Sequence, residues 1–151
     1  MKTQSLIVLF LVFVMSCKSN QNNVEMKTVK SVLIAKGNLH GAGSEGFTKE
    51  NSVIDNQSDW ESLMARMNKV NNVSESFTET KIDFSKYAII AVFNDVKGSG
   101  GHSIELNIST TSENTLVTVK YISPSGNATS VMTQPYYITK IPKQNLPIVF
   151  E

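Results

Sequence analysis

The sequence predicts an α+β fold in which β structure dominates, a mostly antiparallel curled sheet or small sandwich with one helix packed on it. Three observations predict it. The run Tyr87–Phe93 is unbroken, apolar and of strand length, the pattern of a strand buried on both faces. Several other segments alternate polar and apolar residues and are divided by short clusters of turn-forming residues. One stretch alone, from Ser58 to Val70, carries the helical period.

In chain order, Val29, Val32, Leu33, Ile34 and Ala35 predict a first strand within 28–39. Gly37, Gly41, Gly43 and Gly46 then mark a loop. No Lys-Ser or Lys-Thr pair follows the last of them, so this is no phosphate-binding loop. Residues 47–54 are expected to pair back as a second strand. Ser58 and Glu61 have the spacing of a capping box, in which each side chain bonds the other's backbone amide. Trp60, Leu63, Met64, Met67 and Val70 form one apolar stripe, read as core, that Asn71 and Asn72 end. Residues 73–81 form a polar connection.

Next comes the buried run Tyr87–Phe93. A glycine-rich loop, Asn94–His102, is expected to return the chain as a neighbouring strand over 103–108. There Ile104, Leu106 and Ile108 share one face. Gly98, Gly100 and Gly101 permit the positive φ that a sharp turn needs. Residues 110–114 read as a hairpin turn, 115–122 as a strand and 123–127 as a turn built on Ser, Pro, Gly and Asn. Residues 130–134 are short and β-capable. Pro135 donates no hydrogen bond, which places it at a sheet edge or a strand start. Residues 136–141 are a further strand, and 146–150 a last short one.

The 151 residues suit one domain, and an apolar share of 40% supports a real core. Met1–Ser5 is a short basic segment, and the apolar run from Leu6 to Met15 is too short to span a bilayer. Ser16 and Cys17 follow directly. This order resembles the lipobox of bacterial lipoproteins. It implies cleavage before Cys17, acylation of that residue, and a place in the bacterial cell envelope, anchored to the membrane. The simpler reading is an ordinary signal peptide with an incidental Cys. As the only Cys, Cys17 has no partner for an internal disulfide. The expected organisation is a signal peptide over 1–16, a flexible polar tether over 17–27 and a single domain over 28–151. Removing 1–16 takes away Lys2 and leaves 13 basic against 13 acidic residues. With no basic patch, nucleic acid is not an expected partner.

Candidate chemistry is sparse. His40 and His102 both lie in glycine-rich loops, and their spacing to Glu45 and Asp95 fits no metal-ligand pattern. Ser103 adjoins His102, but neighbours in a strand point to opposite faces and make a poor nucleophile–base pair. The expectation is a protein that is not an enzyme and uses no cofactor or metal. A binding module remains, with Gly98, Gly100, Gly101, His102, Pro124, Pro135 and Tyr136 as its candidate contact residues. The plainer alternative is a hairpin turn that needs glycine only for its backbone.

The order of these motifs resembles the C-terminal domain of the PrcB family of bacterial lipoproteins, over roughly residues 82–143. The resemblance rests on an apolar strand, then Gly100, Gly101, His102, Ser103 and Ile104, then Thr133, Gln134, Pro135 and Tyr136. It departs at His102, where that family's pattern has an aromatic residue. The resemblance implies a non-catalytic accessory lipoprotein that stabilises or assembles a surface protease complex. A second reading is a protease inhibitor of the chagasin type presenting the Gly98–His102 loop. The Thr that precedes the glycine in such inhibitors is absent, and Ser99 and Gly100 stand in its place. A third is a structural envelope lipoprotein without a protease partner.

Overall fold

The computed structural model describes residues 26–151. The expected signal peptide, Cys17 and the tether through residue 25 lie outside the described residues. Among the described residues eight strands are present: β1 (Lys27–Thr28), β2 (Val32–Leu39), β3 (Glu50–Ile54), β4 (Tyr87–Phe93), β5 (Ser103–Thr110), β6 (Thr115–Ile122), β7 (Gln134–Pro142) and β8 (Ile148–Phe150). One α-helix, α1 (Gln57–Met67), and a single 3-10 turn (Val73–Ser76) complete the elements. The strands form two sheets of four, a central one in the order β2-β7-β4-β3 and an outer one in the order β1-β5-β6-β8. All pairings are antiparallel except β6 with β8. This is the β-dominant α+β sandwich with one packed helix that the sequence predicts.

The apolar run of β4 explains the layering. Ile89, Ala91 and Phe93 point to one face and join Trp60, Leu63 and Met67 of α1 in one core. Ala88, Ile90 and Val92 point to the other and meet Ile104, Ile108 and Val117 of the outer sheet in a second core. Period-two alternation thus feeds both cores from one strand. β7 does the same with Ile138 and Ile141. Each fully buried Ile contributes about 1.5–3 kcal/mol.

Several sequence expectations need correction. β3 does not pair back on β2; the two are opposite edges of the central sheet, with β7 and β4 between them. The strands apolar on both faces take the middle, and the more polar ones take the rims. Gly37 belongs to β2 and not to the loop, where it lies opposite Tyr136. Lys27 belongs to β1, so the domain includes the end of the expected tether. The helix cap is Asn56, whose Oδ1 accepts from the amide of Asp59 at 3.0 Å, and not Ser58. The helix ends at Met67 with Asn68 as its cap, so Val70 leaves the stripe and is exposed. Residues 130–133 add only an isolated bridge, Lys97 with Thr133. Pro135 is the second residue of β7, so the strand-start alternative holds, but the strand is central and not at an edge. Its carbonyl accepts from Asn94, so its missing N–H faces the side on which β4 has already ended. The β2 ladder loses nothing.

The largest correction concerns β4 and β5. They are not a hairpin, because they belong to different sheets. Both edges of β4 are taken, by β3 and by β7. The 94–102 segment is therefore a crossover between layers. β8 is parallel to β6 for a related reason, since the chain reaches it by way of β7 in the other sheet.

Trp60 is fully buried, and its Nε1–H donates to the carbonyl of Thr80 at 2.8 Å. Replacing it with Phe removes that donor and leaves the carbonyl unsatisfied. The expected loss is about 1–3 kcal/mol in urea unfolding followed by circular dichroism, and about 3–5 kcal/mol for Trp60→Ala. An unchanged midpoint for both would show that α1 is not part of the cooperative unit.

Candidate functional site

The crossover is fixed by contacts along its length. The amide of Gly100 donates to the carbonyl of Thr129 at 3.0 Å, and Thr133 Oγ1 donates to the carbonyl of Ser99 at 2.9 Å. Gly101 has φ +82°, the left-handed region that favours glycine. A Cβ there would stand 2.9 Å from Cβ of Pro124, so Gly101 and Pro124 pack face to face. Gly100 is buried, and a Cβ on it would meet Thr129 Oγ1 at 2.5 Å. Of the three glycines, Gly101 alone uses positive φ; Gly98 is exposed and faces open space. Ser99 Oγ and His102 Nε2 are 3.0 Å apart, which holds the imidazole at the end of the crossover.

From there β5 runs beside β2 of the other sheet. A crevice of about 260 Å³ opens between them, lined by Lys36, Gly37 and Asn38 of β2, by His102–Glu105, and by Tyr136 of β7. Both walls are strand edges. Among the described residues β2 is paired only to β7, and the outer edge of β5 is taken by β1 only at Ser109 and Thr110, with one further bond from Val29 to Ile108. From Ser103 to Asn107 this edge carries no strand among the described residues. Within the crevice, Asn38 Oδ1 is buried with no hydrogen-bond partner among the described residues. A buried acceptor of this kind costs about 1–3 kcal/mol until a donor reaches it.

Gly100, Gly101, His102 and Pro124 are therefore brought together, with His102 and Tyr136 on the crevice. Pro135 and Tyr136, two of the candidate contact residues, are buried, Tyr136 to 5% exposure, and Tyr136 reaches the surface only as a wall of the crevice. Burial of Tyr136 raises its phenol above the usual 10.0, and a hydrogen bond with Ser76 offsets part of the rise. The structure adds Asn38 and Gln134, which sequence reasoning missed. Gln134 Nε2 donates to the carbonyls of Phe47 and Asn94, both at 2.9 Å, and ties the 40–49 loop to the start of the crossover. No periodicity reports such long-range polar bonds. Glu45 is buried at 2% exposure, with its Oε1 accepting from the Gly41 amide. Among the described residues no three His, Cys, Asp or Glu side chains converge on a common point.

No family model, no curated protein and no solved structure matches this chain. The functional reading therefore rests on the geometry and on the sequence motifs.

Gly101→Ala forces a side chain into the left-handed region against Pro124 and is expected to cost more than about 1 kcal/mol, whereas Gly98→Ala stays within about 0.5 kcal/mol. Equal melting temperatures for the two variants would show a slack crossover. For Tyr136, a folded-state value above the unfolded 10.0 means that its contribution is complete below pH 10 and is lost as the pH rises beyond it. Alkaline unfolding should begin near pH 10, and Tyr136→Phe should move its midpoint upward.

Proposed function

We propose that this chain is a non-catalytic, lipid-anchored envelope protein, a binding module that stabilises or assembles a protease or another surface complex. Acylated Cys17 holds it at the membrane, and the domain acts by contact. The order of basic segment, apolar run, Ser16 and Cys17 supports the anchor. Two or three acyl chains give firm attachment where one alone binds marginally.

The observation that carries the binding reading is the open β5 edge beside the crevice, with the orphan acceptor of Asn38 inside it. The occupant is an extended segment of a protein partner. It adds as a strand along Ser103–Asn107, continuing the line that β1 begins at Ser109 and Thr110. Backbone bonds supply the affinity, and a donor side chain of the segment satisfies Asn38. Lys36 and Glu105, both exposed at the rim, favour a segment carrying both signs of charge. The fixed Gly98–His102 crossover is the end wall of this site. Its buried Gly100 and its packing on Pro124 suit a wall better than a loop that inserts into another protein's cleft.

Asn38→Leu separates binding from stability. Removing a buried unsatisfied acceptor should leave the melting temperature unchanged or higher, while the partner captured from detergent-solubilised membranes by the full chain falls several-fold. A Cys17→Ser chain is the control for membrane display. Recovery of no protease or other envelope protein above that control, or equal recovery by Asn38→Leu, would overturn the reading.

A further inference from the structure

A second open edge lies on the far side of the central sheet. Among the described residues β3 is paired to β4 alone, and its free side borders a groove of about 380 Å³ between the strand and α1. The helix returns antiparallel to the strand, since Arg66 near its C-terminus pairs with Glu50 at 2.8 Å while Asp59 near its N-terminus lines the groove at the Ile54 end. A free strand edge beside a groove is a template for one more strand. The charges on it identify which.

We infer that β3 is the face through which two copies of this chain associate, edge to edge about a two-fold axis through Ser52, joining the two central sheets into one of eight strands. An antiparallel pair with this centre places residue 51 opposite 53 of the other copy and Lys49 opposite Asp55. Lys49 and Asp55 flank the strand at odd positions, on the face of Asn51 and Val53, and Lys49 lies on that face over the ring of Tyr121 at 4.3 Å. Each dimer thus makes two opposite-charge cross-strand pairs and no like-charge pair. Centring the axis one residue either way shifts every pairing by two positions and loses both charge pairs.

The helix follows the same symmetry. Its groove-lining residues include Asp59, Ser62 and Arg66. With Ser62 near the axis, Asp59 of one copy faces Arg66 of the other, and the small serines let the two helices approach. Arg66 is held by Glu50 of its own copy, so the Lys49–Asp55 pairs of the strand carry the charge pattern, and an isologous interface demands this self-complementarity. Val53, 40% exposed in the single chain, is covered in the pair.

Sedimentation equilibrium of the full chain in density-matched detergent tests this. The chain should reach dimer mass at micromolar concentration. Lys49→Asp and Asp55→Lys should each weaken association by about tenfold or more at low salt, because each creates two like-charge pairs. The double variant Lys49→Asp with Asp55→Lys should recover most of the loss. Both positions are exposed, and unchanged circular dichroism checks the fold. A monomer at every concentration, a dimer indifferent to the single changes, or a double variant as weak as the singles would overturn the assignment.

Discussion

Burial of β4 on both of its faces is the constraint on which the rest of the structure depends. Seven consecutive side chains from Tyr87 to Phe93 alternate between two cores, and neither core closes without a layer over it. On one side that layer is α1, whose Trp60, Leu63 and Met67 cover Ile89, Ala91 and Phe93. On the other it is the outer sheet, whose Ile104, Ile108 and Val117 cover Ala88, Ile90 and Val92. A strand of this kind cannot sit at a rim, because half of its apolar surface would face water. Its hydrogen-bonding edges must be filled as well, and β3 and β7 fill them.

Filling both edges of β4 decides the path of the chain. The segment after Phe93 has no room to turn back in the same sheet, so it climbs to the outer layer. That climb requires close backbone approaches, which explains Gly100 under Thr129 and Gly101 against Pro124. It also sets β5 beside β2, with a polar crevice between two sheet rims. The glycines thus serve the crossover first. The site is what the crossover leaves open.

Among the described residues the same layering leaves one edge of β2, one edge of β3 and most of the outer β5 edge unpaired, and these rims carry polar and charged residues. Proteins protect such edges with charge, shortness or cover. Here the protection is uneven. At β5 it is a two-residue strand, β1, over one end. At β3 it is a Lys and an Asp at opposite ends, an arrangement that discourages arbitrary strands and admits an antiparallel copy of itself. The recognition proposed at both surfaces is by backbone, with side chains setting the partner.

The sequence by itself determined most of the elements. β4 and β6 appear with their true bounds, because an unbroken apolar run and a clean alternation are local signals. The helical stripe placed α1, although the cap at Asn56 was hidden by a competing Ser58–Glu61 pattern of the same chemistry. The glycine-rich segment was legible as a special backbone, and His102 as a residue worth following. Tertiary structure alone decided which strands are neighbours, because each strand carries its hydrogen-bonding capacity on its backbone, and outside proline that capacity does not vary with sequence. Hence β3 lies far from β2, β4 and β5 part into different sheets, and Pro135 and Tyr136 turn out to be buried. Hence also Asn38 and Gln134 were invisible as functional or structural polar groups. Their partners, or the lack of them, lie across the fold, and only packing brings those distances to a few ångströms.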